Sequence, residues 1–206
     1  MTRKIGVIGG TFDPIHLGHL AAATQVANRL GLDRVILAPA GEPWHKRESP
    51  GASPEDRFQM VELAAGEDQR FRVTRVDIDR PGPTFTSDTL RDLQEQHSAS
   101  GESSDDTWFF IAGADALADF MQWREPLAIL EQAHLVGVTR PGHTLAAPVL
   151  PTGSYTLVEI PDVDISSTDI RERVRTGQSI TGLVPAAVES YIRERGLYLS
   201  PAGGRE

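Results

Sequence analysis

Two short apolar runs, joined by one helical stretch, constrain the fold of this chain more than any other feature. The first run, Lys4 to Ile8, is closed by a pair of glycines, and the second is Arg34 to Ala38. Between them, Leu17 to Leu30 is rich in Ala and Leu and ends at Gly31, a typical helix stop. Two strands connected through a helix lie parallel, because the helix crosses back over the sheet. The sequence therefore begins with a predicted βαβ unit.

The same alternation of helices and strands continues along the chain. Ser53 is the expected N-cap of the next helix, and Pro54 is its first residue. Five or more strands that alternate with helices predict an α/β fold of three layers. Helices are predicted in "SPEDRFQMVELAAG", "TSDTLRDLQEQH", "PLAILEQA", "SSTDIRERVRTG" and "PAAVESYIRERG", and strands in "TWFFIAG", in "HLVGVT" and near Phe71 to Val73.

Two stretches have the composition of loops. His97 to Asp106 is polar and of low complexity, and Arg140 to Ser154 is rich in Pro and Gly. Both are predicted as exposed loops, and neither separates two domains. We therefore expect residues 1–206 to form one domain whose helical C-terminal part begins at about residue 166.

Composition excludes several classes of function. The chain has 206 residues and no cysteine, which excludes disulfides, cysteine-ligated zinc, iron–sulfur clusters and thiol nucleophiles. A reducing cytosol is the expected compartment, so we expect a cytoplasmic protein without a signal peptide or a membrane span. The net charge of −9, with no basic block, argues against binding to nucleic acid.

The stretch "GGTFDPIHLGH", Gly9 to His19, follows the first predicted strand, where parallel sheets form ligand sites. Gly9 and Gly10 let a ligand approach the main chain, and the amide N–H groups of such a turn bind phosphate oxygens. A tight turn without a ligand is the alternative. The glycine spacing differs from G-x-G-x-x-G and therefore disfavours a dinucleotide-binding oxidoreductase.

His16 and His19 lie three residues apart at the start of the predicted helix and so project from one face. Toward a polyphosphate, both imidazoles can donate hydrogen bonds to a phosphoryl group as charge develops on its oxygens. Core or capping histidines are an alternative. A metal-binding pair is a weaker one, because Asp13 is the only close carboxylate.

"GGTFDPIHLGH" resembles the GG-[ST]-F-D-P-x-H-x-G-H signature of the nucleotidyltransferase superfamily, and "ISSTDIR" resembles its I-S-S-T-x-I-R motif. "DIDRPGPTFTSDTL" is similar to a stretch of the bacterial nicotinate-nucleotide adenylyltransferases. The resemblance implies one Rossmann-like α/β domain, a doubly wound parallel sheet of order 3-2-1-4-5 with C-terminal helices. It also implies transfer of the adenylyl group of ATP to nicotinate mononucleotide, giving nicotinate adenine dinucleotide and pyrophosphate in NAD biosynthesis.

The resemblance also implies roles for individual residues. The catalytic residues would be His16 and His19, which stabilise charge on the α-phosphoryl group, and Lys46 of "EPWHK" and Arg171, which hold the triphosphate. Trp123 would stack on the pyridine ring, and Arg124 stands beside it where the family commonly has Tyr or His. The substrate-binding residues would be Gly9, Gly10, Thr11, Phe12, Thr86, Gly113, Asp115, Trp123, Arg140, Ser166, Ser167 and Thr168.

The implied partners are the two substrates, ATP and nicotinate mononucleotide. No protein metal site is expected, and Mg²⁺ would arrive on the ATP phosphates. The sequence leaves open whether the chain forms a homo-oligomer and whether nicotinamide mononucleotide is accepted. Alternatives are a phosphopantetheine adenylyltransferase, which is typically shorter and lacks the "TFTSDTL" stretch, and a nucleotide-binding sensor without catalysis.

Overall fold

The computed structural model describes residues 2–43, 51–66, 68–139, 150–151, 153–161 and 163–199. Gly31 ends the first helix in the left-handed conformation, with a φ of 62°, which glycine adopts without steric cost. The predicted βαβ unit is therefore present, as β1 (Lys4–Gly10), α1 (Leu17–Leu30) and β2 (Arg34–Pro39).

The remaining elements follow the expected order, with several short elements added. Ser53 caps the second helix as predicted, since its hydroxyl accepts the N–H of Asp56 at 3.1 Å. Among the described helices, none is long and apolar enough to cross a membrane. The elements are β3 (Glu42–Pro43), α2 (Pro54–Ala65), β4 (Phe71–Val73), α3 (Val76–Asp79), β5 (Pro83–Thr84), α4 (Thr86–Ala99), β6 (Thr107–Gly113), α5 (Ala114–Ala118), a 3-10 turn (Phe120–Gln122), α6 (Pro126–Gln132), β7 (His134–Thr139), β8 (Tyr155–Glu159), α7 (Ser167–Arg175) and α8 (Ala186–Arg195).

The main sheet has the strand order β4-β2-β1-β6-β7-β8, and all its neighbouring strands are parallel. Numbered along the chain within this sheet, the order is 3-2-1-4-5-6, which confirms the predicted 3-2-1-4-5 and adds β8 at one edge. As an edge strand, β8 buries only Val158 completely, so it lacks the continuous apolar run of the central strands. The short strands β3 and β5 pair with each other separately.

Helices cover both faces of the main sheet. Successive residues of a strand point to opposite faces, so Ile8 and Val7 of β1 belong to different cores. The core around Ile8 includes buried side chains from α1, α2, α7 and α8. The core around Val7 includes side chains from α3, α4, α5 and α6. The predicted doubly wound α/β fold with C-terminal helices is confirmed.

The predicted exposed loop at residues 97–106 is confirmed for residues 100–105, which lie outside the helices and strands and are largely exposed, and is wrong at its two ends. α4 continues into this segment, and His97 and Asp106 are buried. The imidazole of His97 lies between two carboxylates, with Nδ1 2.5 Å from Glu102 and Nε2 2.9 Å from Asp106. A polar composition is shared by solvated loops and ion-pair networks, so composition could not distinguish them. Of the other predicted loop, residues 140–149 and 152 lie outside the described residues.

Glu102 makes the stability of this network dependent on pH. Hydrogen bonds from Arg34 and Arg3 lower its pKa from the usual 4.5 to about 2. A carboxyl whose pKa is lower in the folded state stabilises the fold above pH 4.5, and this contribution is lost as the pH falls toward 2.

We expect the melting temperature of Glu102→Gln to fall less than that of the parent chain over this interval. Glu95→Gln, an equal charge change on the exposed face of α4, is the control. Parallel melting curves for Glu102→Gln and the parent would contradict this account.

Candidate active site

Residues from both sequence motifs meet at the carboxyl edge of the main sheet. β1 ends in Gly9 and Gly10, β6 ends at Gly113, and the strand order changes direction between these two strands. In doubly wound folds, the crevice at such a point binds ligands. Two adjoining cavities of about 570 and 530 Å³ open here, and Gly9, Ala112 and Gly113 border both of them.

The larger cavity contains the two predicted catalytic histidines, and we call it the histidine cavity. His16 and His19 form part of its wall, next to the ends of β1 and β6. Asp115, in the first turn of α5, is exposed at the same cavity. Seven of the predicted substrate-binding and catalytic residues therefore border this cavity: Gly9, His16, His19, Gly113, Asp115, Ser166 and Ser167.

The two histidines form one stacked pair at the N-terminus of α1. His16 precedes the helix in an extended conformation, and its backbone N–H donates to Nδ1 of His19 at 3.2 Å. The ring centroids are 3.6 Å apart. Because Nδ1 of His19 accepts this bond, its ring proton lies on Nε2. A Cβ at position 18 would lie 3.0 Å from Nδ1 of His16, so Gly18 leaves room for that ring. The capping role that the sequence left open is present and occupies one nitrogen of His19.

The "ISSTDIR" motif places the N-terminus of α7 at the histidine cavity. The hydroxyl of Ser166 accepts the N–H of Asp169 at 3.0 Å, and the hydroxyl of Ser167 donates to the carbonyl of Pro14 at 2.9 Å. Both hydroxyls thus fix the start of the helix. The amide N–H groups of a helix's first turn lack partners within the helix, which makes this end suited to an anion.

Arg171 joins the second motif to the first. Its Nη1 donates to the carbonyl of Asp13 at 2.8 Å, and its Nη2 lies 3.4 Å from the hydroxyl of Thr168. Neither Arg171 nor Thr168 is among the described residues that line the two cavities. The arginine therefore lies behind the cavity wall in this structure, where it holds the two motifs together.

The carboxylate of Asp13 already accepts three hydrogen bonds within the protein. It accepts the N–H groups of Gly51 at 2.8 Å and Ala52 at 3.1 Å, and the hydroxyl of Tyr198 at 2.9 Å. Burial and this contact raise the pKa of Tyr198 above its ordinary value. The described residues also hold no cluster of three or more His, Asp or Glu side chains suited to a metal. The donor set thus does not favour a protein-held metal at Asp13.

A buried arginine that the sequence did not single out supports the glycine turn from below. Arg57 of α2 is completely buried, and its Nη1 donates to the carbonyls of Thr11 at 2.8 Å and Ala40 at 2.5 Å. Its Nη2 donates to the carbonyl of Gly41 at 2.8 Å. Burial lowers the pKa of Arg57, and the nearby carboxylate of Asp13 opposes that shift. One guanidinium thus fixes both the signature turn and the end of β2.

The smaller cavity has aromatic walls, and we call it the aromatic cavity. Phe110 and Trp123 meet edge to face there, with ring centroids 5.9 Å apart, and Phe85 lines another side. Thr86 is the first residue of α4, so the cavity also contains a helix N-terminus. The predicted site residues that border it are Gly9, Gly10, Thr11, Thr86, Gly113 and Trp123.

Asp77 lies at the base of the aromatic cavity and is a second residue that the sequence did not single out. It is buried, accepts the hydroxyl of Thr89 at 2.9 Å and pairs with Arg80. Burial raises its pKa to about 6, and the contacts with Thr89 and Arg80 oppose that shift. One Asp among several acidic residues of the chain gives no sequence signal that it is the buried one.

Besides Arg171 and Thr168, three more predicted residues are not placed at either cavity. Phe12 is buried in the core, with a left-handed φ of 49°, and its ring meets His19 edge to face at 5.1 Å. It therefore supports a histidine rather than lining a cavity. Lys46 and Arg140 lie outside the described residues, so their roles stay predictions.

The fold and the site together define the class of protein. A doubly wound sheet presents a Gly-Gly turn, paired imidazoles and the N-terminus of α7 at one edge, which is the arrangement expected from the resemblance to the nucleotidyltransferases. Residues 7–173 match the family described as cytidylyltransferase-like, in agreement with this class. Within it, the chain belongs to the nicotinate-nucleotide adenylyltransferases.

Two similar proteins support the assignment to this family. The chain is 53% identical over 203 residues to a protein of Acidothermus cellulolyticus named "probable nicotinate-nucleotide adenylyltransferase", covering 98% of this chain and 97% of that one. It is 48% identical over 196 residues to a protein of the same name from Saccharopolyspora erythraea, covering 95% and 90%. The predicted family, enzyme class and function in NAD biosynthesis are confirmed.

A solved structure supports the fold independently. The nicotinic acid mononucleotide adenylyltransferase of Plasmodium falciparum complexed with NaAD superposes with a TM-score of 0.74, covering 95% of this chain and 97% of that chain. The two sequences are 20% identical, so this likeness shows a shared fold.

Proposed function

We propose that ATP binds in the histidine cavity and nicotinate mononucleotide in the aromatic cavity, so that the two substrates meet at Gly9 and Gly113. The observation that carries the proposal is the common border of the two cavities beside the stacked histidines. Aromatic walls suit a pyridine ring, and the N-terminus of α7 with Ser166 and Ser167 suits a polyphosphate.

In the proposed reaction, an oxygen of the mononucleotide phosphate attacks the α-phosphorus of ATP. A new P–O–P bond forms, and the bond from the α-phosphorus to the bridging oxygen of the β-phosphate breaks. That oxygen keeps the electron pair and leaves with pyrophosphate. The attacking phosphate is already an anion, so no general base is needed. The protein contributes positioning and stabilisation of charge.

Individual residues would divide this work. His16 and His19 donate to the α-phosphoryl oxygens, and Nε2 of His19 carries the proton that this requires. The amide groups at Ser166 and Ser167 receive the β- and γ-phosphates. Arg171 lies behind them and would hold the triphosphate either directly or through this turn. Lys46 is the further cation expected there from the sequence.

Mg²⁺ would enter on the triphosphate as part of the ATP substrate. The carboxylate of Asp13 is occupied by Gly51, Ala52 and Tyr198, which supports a metal held by phosphate rather than by a protein cage. When bound, the ion neutralises charge on the phosphates. We further propose that residues 1–206 form a single domain that works in the cytoplasm, in keeping with a chain without cysteine.

Substrate placement can be tested by separating the two Michaelis constants. We expect Trp123→Leu to raise the KM for nicotinate mononucleotide about tenfold, because stacking on an aromatic ring contributes about 1–3 kcal/mol per base. Its KM for ATP should stay within about twofold. Asp115 borders the histidine cavity, where its carboxylate would accept a ribose hydroxyl of ATP. Asp115→Asn should therefore raise the KM for ATP and leave that for nicotinate mononucleotide within about twofold, since a charge-assisted hydrogen bond is worth about 1.5–3 kcal/mol.

Each variant is the control for the other, because both keep the sheet and the histidine pair. Steady-state kinetics with one substrate saturating gives both constants. If both substitutions raised the KM of the same substrate, or if their effects were exchanged, the proposed placement would be wrong.

A further inference from the structure

The charges around the aromatic cavity are unusual for a site that receives an anion. Asp77 and Asp119 line it and are acidic, and Arg124 is the one cation among its described lining residues. The chain as a whole carries a net charge of −9. A carboxylate entering this cavity therefore meets two acids and one base. Besides the N-terminus of α4 at Thr86, the guanidinium of Arg124 is the positively charged group that such a carboxylate can meet among the described lining residues.

Arg124 lies against the wall of the cavity. Its Cζ is 4.6 Å from the centroid of Phe85, the residue that precedes Thr86 at the start of α4. It follows Trp123 directly in the chain, so the guanidinium is next to the proposed stacking ring. A guanidinium stacked on a ring by its face directs its N–H donors sideways, in the plane of the group.

Most of the N–H donors of Arg124 make no hydrogen bond within the described part of the chain. Its Nη1 reaches Asp88 at 3.3 Å, and the side chain is 49% exposed. Within the described part of the chain, no hydrogen bond of Nη2 or Nε is present. Asp88 is bound more closely by Arg91, at 2.7 Å. Asp88 therefore orients Arg124 without consuming its capacity to bind another carboxylate.

We propose that Arg124 is the specificity residue that recognises the carboxylate of the pyridine ring and so distinguishes nicotinate mononucleotide from nicotinamide mononucleotide. This rests on the proposed binding of the mononucleotide in the aromatic cavity. A guanidinium binds a carboxylate through two parallel N–H···O bonds. A carboxamide is neutral, and its NH₂ group would present a donor to a donor. The amide therefore loses both the charge and one of the two bonds.

The test compares Arg124→Gln with Arg91→Gln. Both remove one positive charge from a half-exposed arginine that pairs with Asp88, but Arg91 is not among the described residues that line the cavity. We expect Arg124→Gln to lower kcat/KM for nicotinate mononucleotide about tenfold, within the range for a hydrogen bond to a charged group. For nicotinamide mononucleotide, kcat/KM should change less than about twofold if it is a substrate. If it is a competitive inhibitor, its inhibition constant should change less than about twofold. Arg91→Gln should leave the ratio unchanged.

Two further measurements separate recognition from a structural effect. Arg124→Lys keeps the charge without the planar fork, and should retain part of the preference for the acid. The KM for nicotinate mononucleotide should rise with salt concentration in the parent chain and rise less in Arg124→Gln, since screening weakens an exposed ion pair.

The outcomes distinguish this inference from the function on which it rests. If the parent chain adenylylates neither mononucleotide, the proposed function fails. If the parent is active and Arg124→Gln keeps the acid-to-amide ratio of the parent, the assignment of Arg124 is wrong while the function stands. An equal loss of the ratio in Arg91→Gln would also overturn it, because general charge would then explain the preference.

Discussion

Turnover of His19→Asn is expected to be lower than that of the parent chain by at least about 100-fold, the usual effect of losing a donor that stabilises transition-state charge. Asn keeps an acceptor near the place of Nδ1, so it preserves the bond from the N–H of His16 that shapes the start of α1. It lacks a donor at the place of Nε2. ATP should still bind, because the N-terminus of α7 is untouched. Pyrophosphate release under saturating substrates measures the rate.

Two variants control this result. His19→Gln carries an amide nitrogen near the place of Nε2 and lacks the Nδ1 acceptor, so we expect it to keep more turnover than His19→Asn. His134→Gln removes an imidazole that bonds to Thr156 at 2.8 Å, near the opposite edge of the sheet, and should leave turnover unchanged. A near-normal rate in His19→Asn would show that the histidine pair shapes the turn and takes no part in the transfer.

Arg57→Met should give the largest loss of stability in this set. The substitution keeps an apolar stem in a fully buried position and removes the donors to the carbonyls of Thr11, Ala40 and Gly41. A buried polar group without a partner costs about 1–3 kcal/mol, so we expect the free energy of unfolding to fall by about 3 kcal/mol or more. Where the variant stays folded, turnover should fall about tenfold or more, because Thr11 belongs to the signature turn and misplacement is costly.

Arg72→Met is the matched control for Arg57→Met. Arg72 also donates to two backbone carbonyls, those of Gln69 and Phe71, each at 2.7 Å, but it does so at the surface. Water can replace these bonds, so its unfolding free energy should change by less than about 0.5 kcal/mol. Urea denaturation followed by circular dichroism measures both. Similar losses for the two variants would mean that burial of the Arg57 guanidinium is not what makes it important.

Much of the fold follows from sequence pattern alone. The central strands β1, β2 and β6 are continuous apolar runs, as parallel strands with both faces covered require, and the glycine at 31 and the serine at 53 mark helix ends by local chemistry. β8 was not predicted because an edge strand does not need a continuous apolar run. The burial of His97 and Asp106 at the ends of the 97–106 stretch was not predicted, because it depends on the pairing of His97 with Asp106 and Glu102 in the fold, which no local pattern encodes.

The site residues also separate into those that local sequence reveals and those that only the fold reveals. His16 and His19 could be found because their spacing after a strand end is itself the signal, and Ser166 because "ISSTDIR" resembles a family motif. Arg57 and Asp77 could not, because their importance comes from burial against residues distant in the chain. The aromatic cavity was reached through the resemblance at Trp123, whereas the bond between Arg171 and Asp13 could be seen only in the folded chain.

The central claim is that this chain joins ATP to nicotinate mononucleotide at the common border of its two cavities. The most direct measurement incubates the protein with MgATP and nicotinate mononucleotide and follows both products by chromatography. The account predicts nicotinate adenine dinucleotide and pyrophosphate in equal amounts, with no product when either substrate is left out. Pyrophosphate release that does not require nicotinate mononucleotide, or the absence of the dinucleotide at saturating substrates, would contradict it.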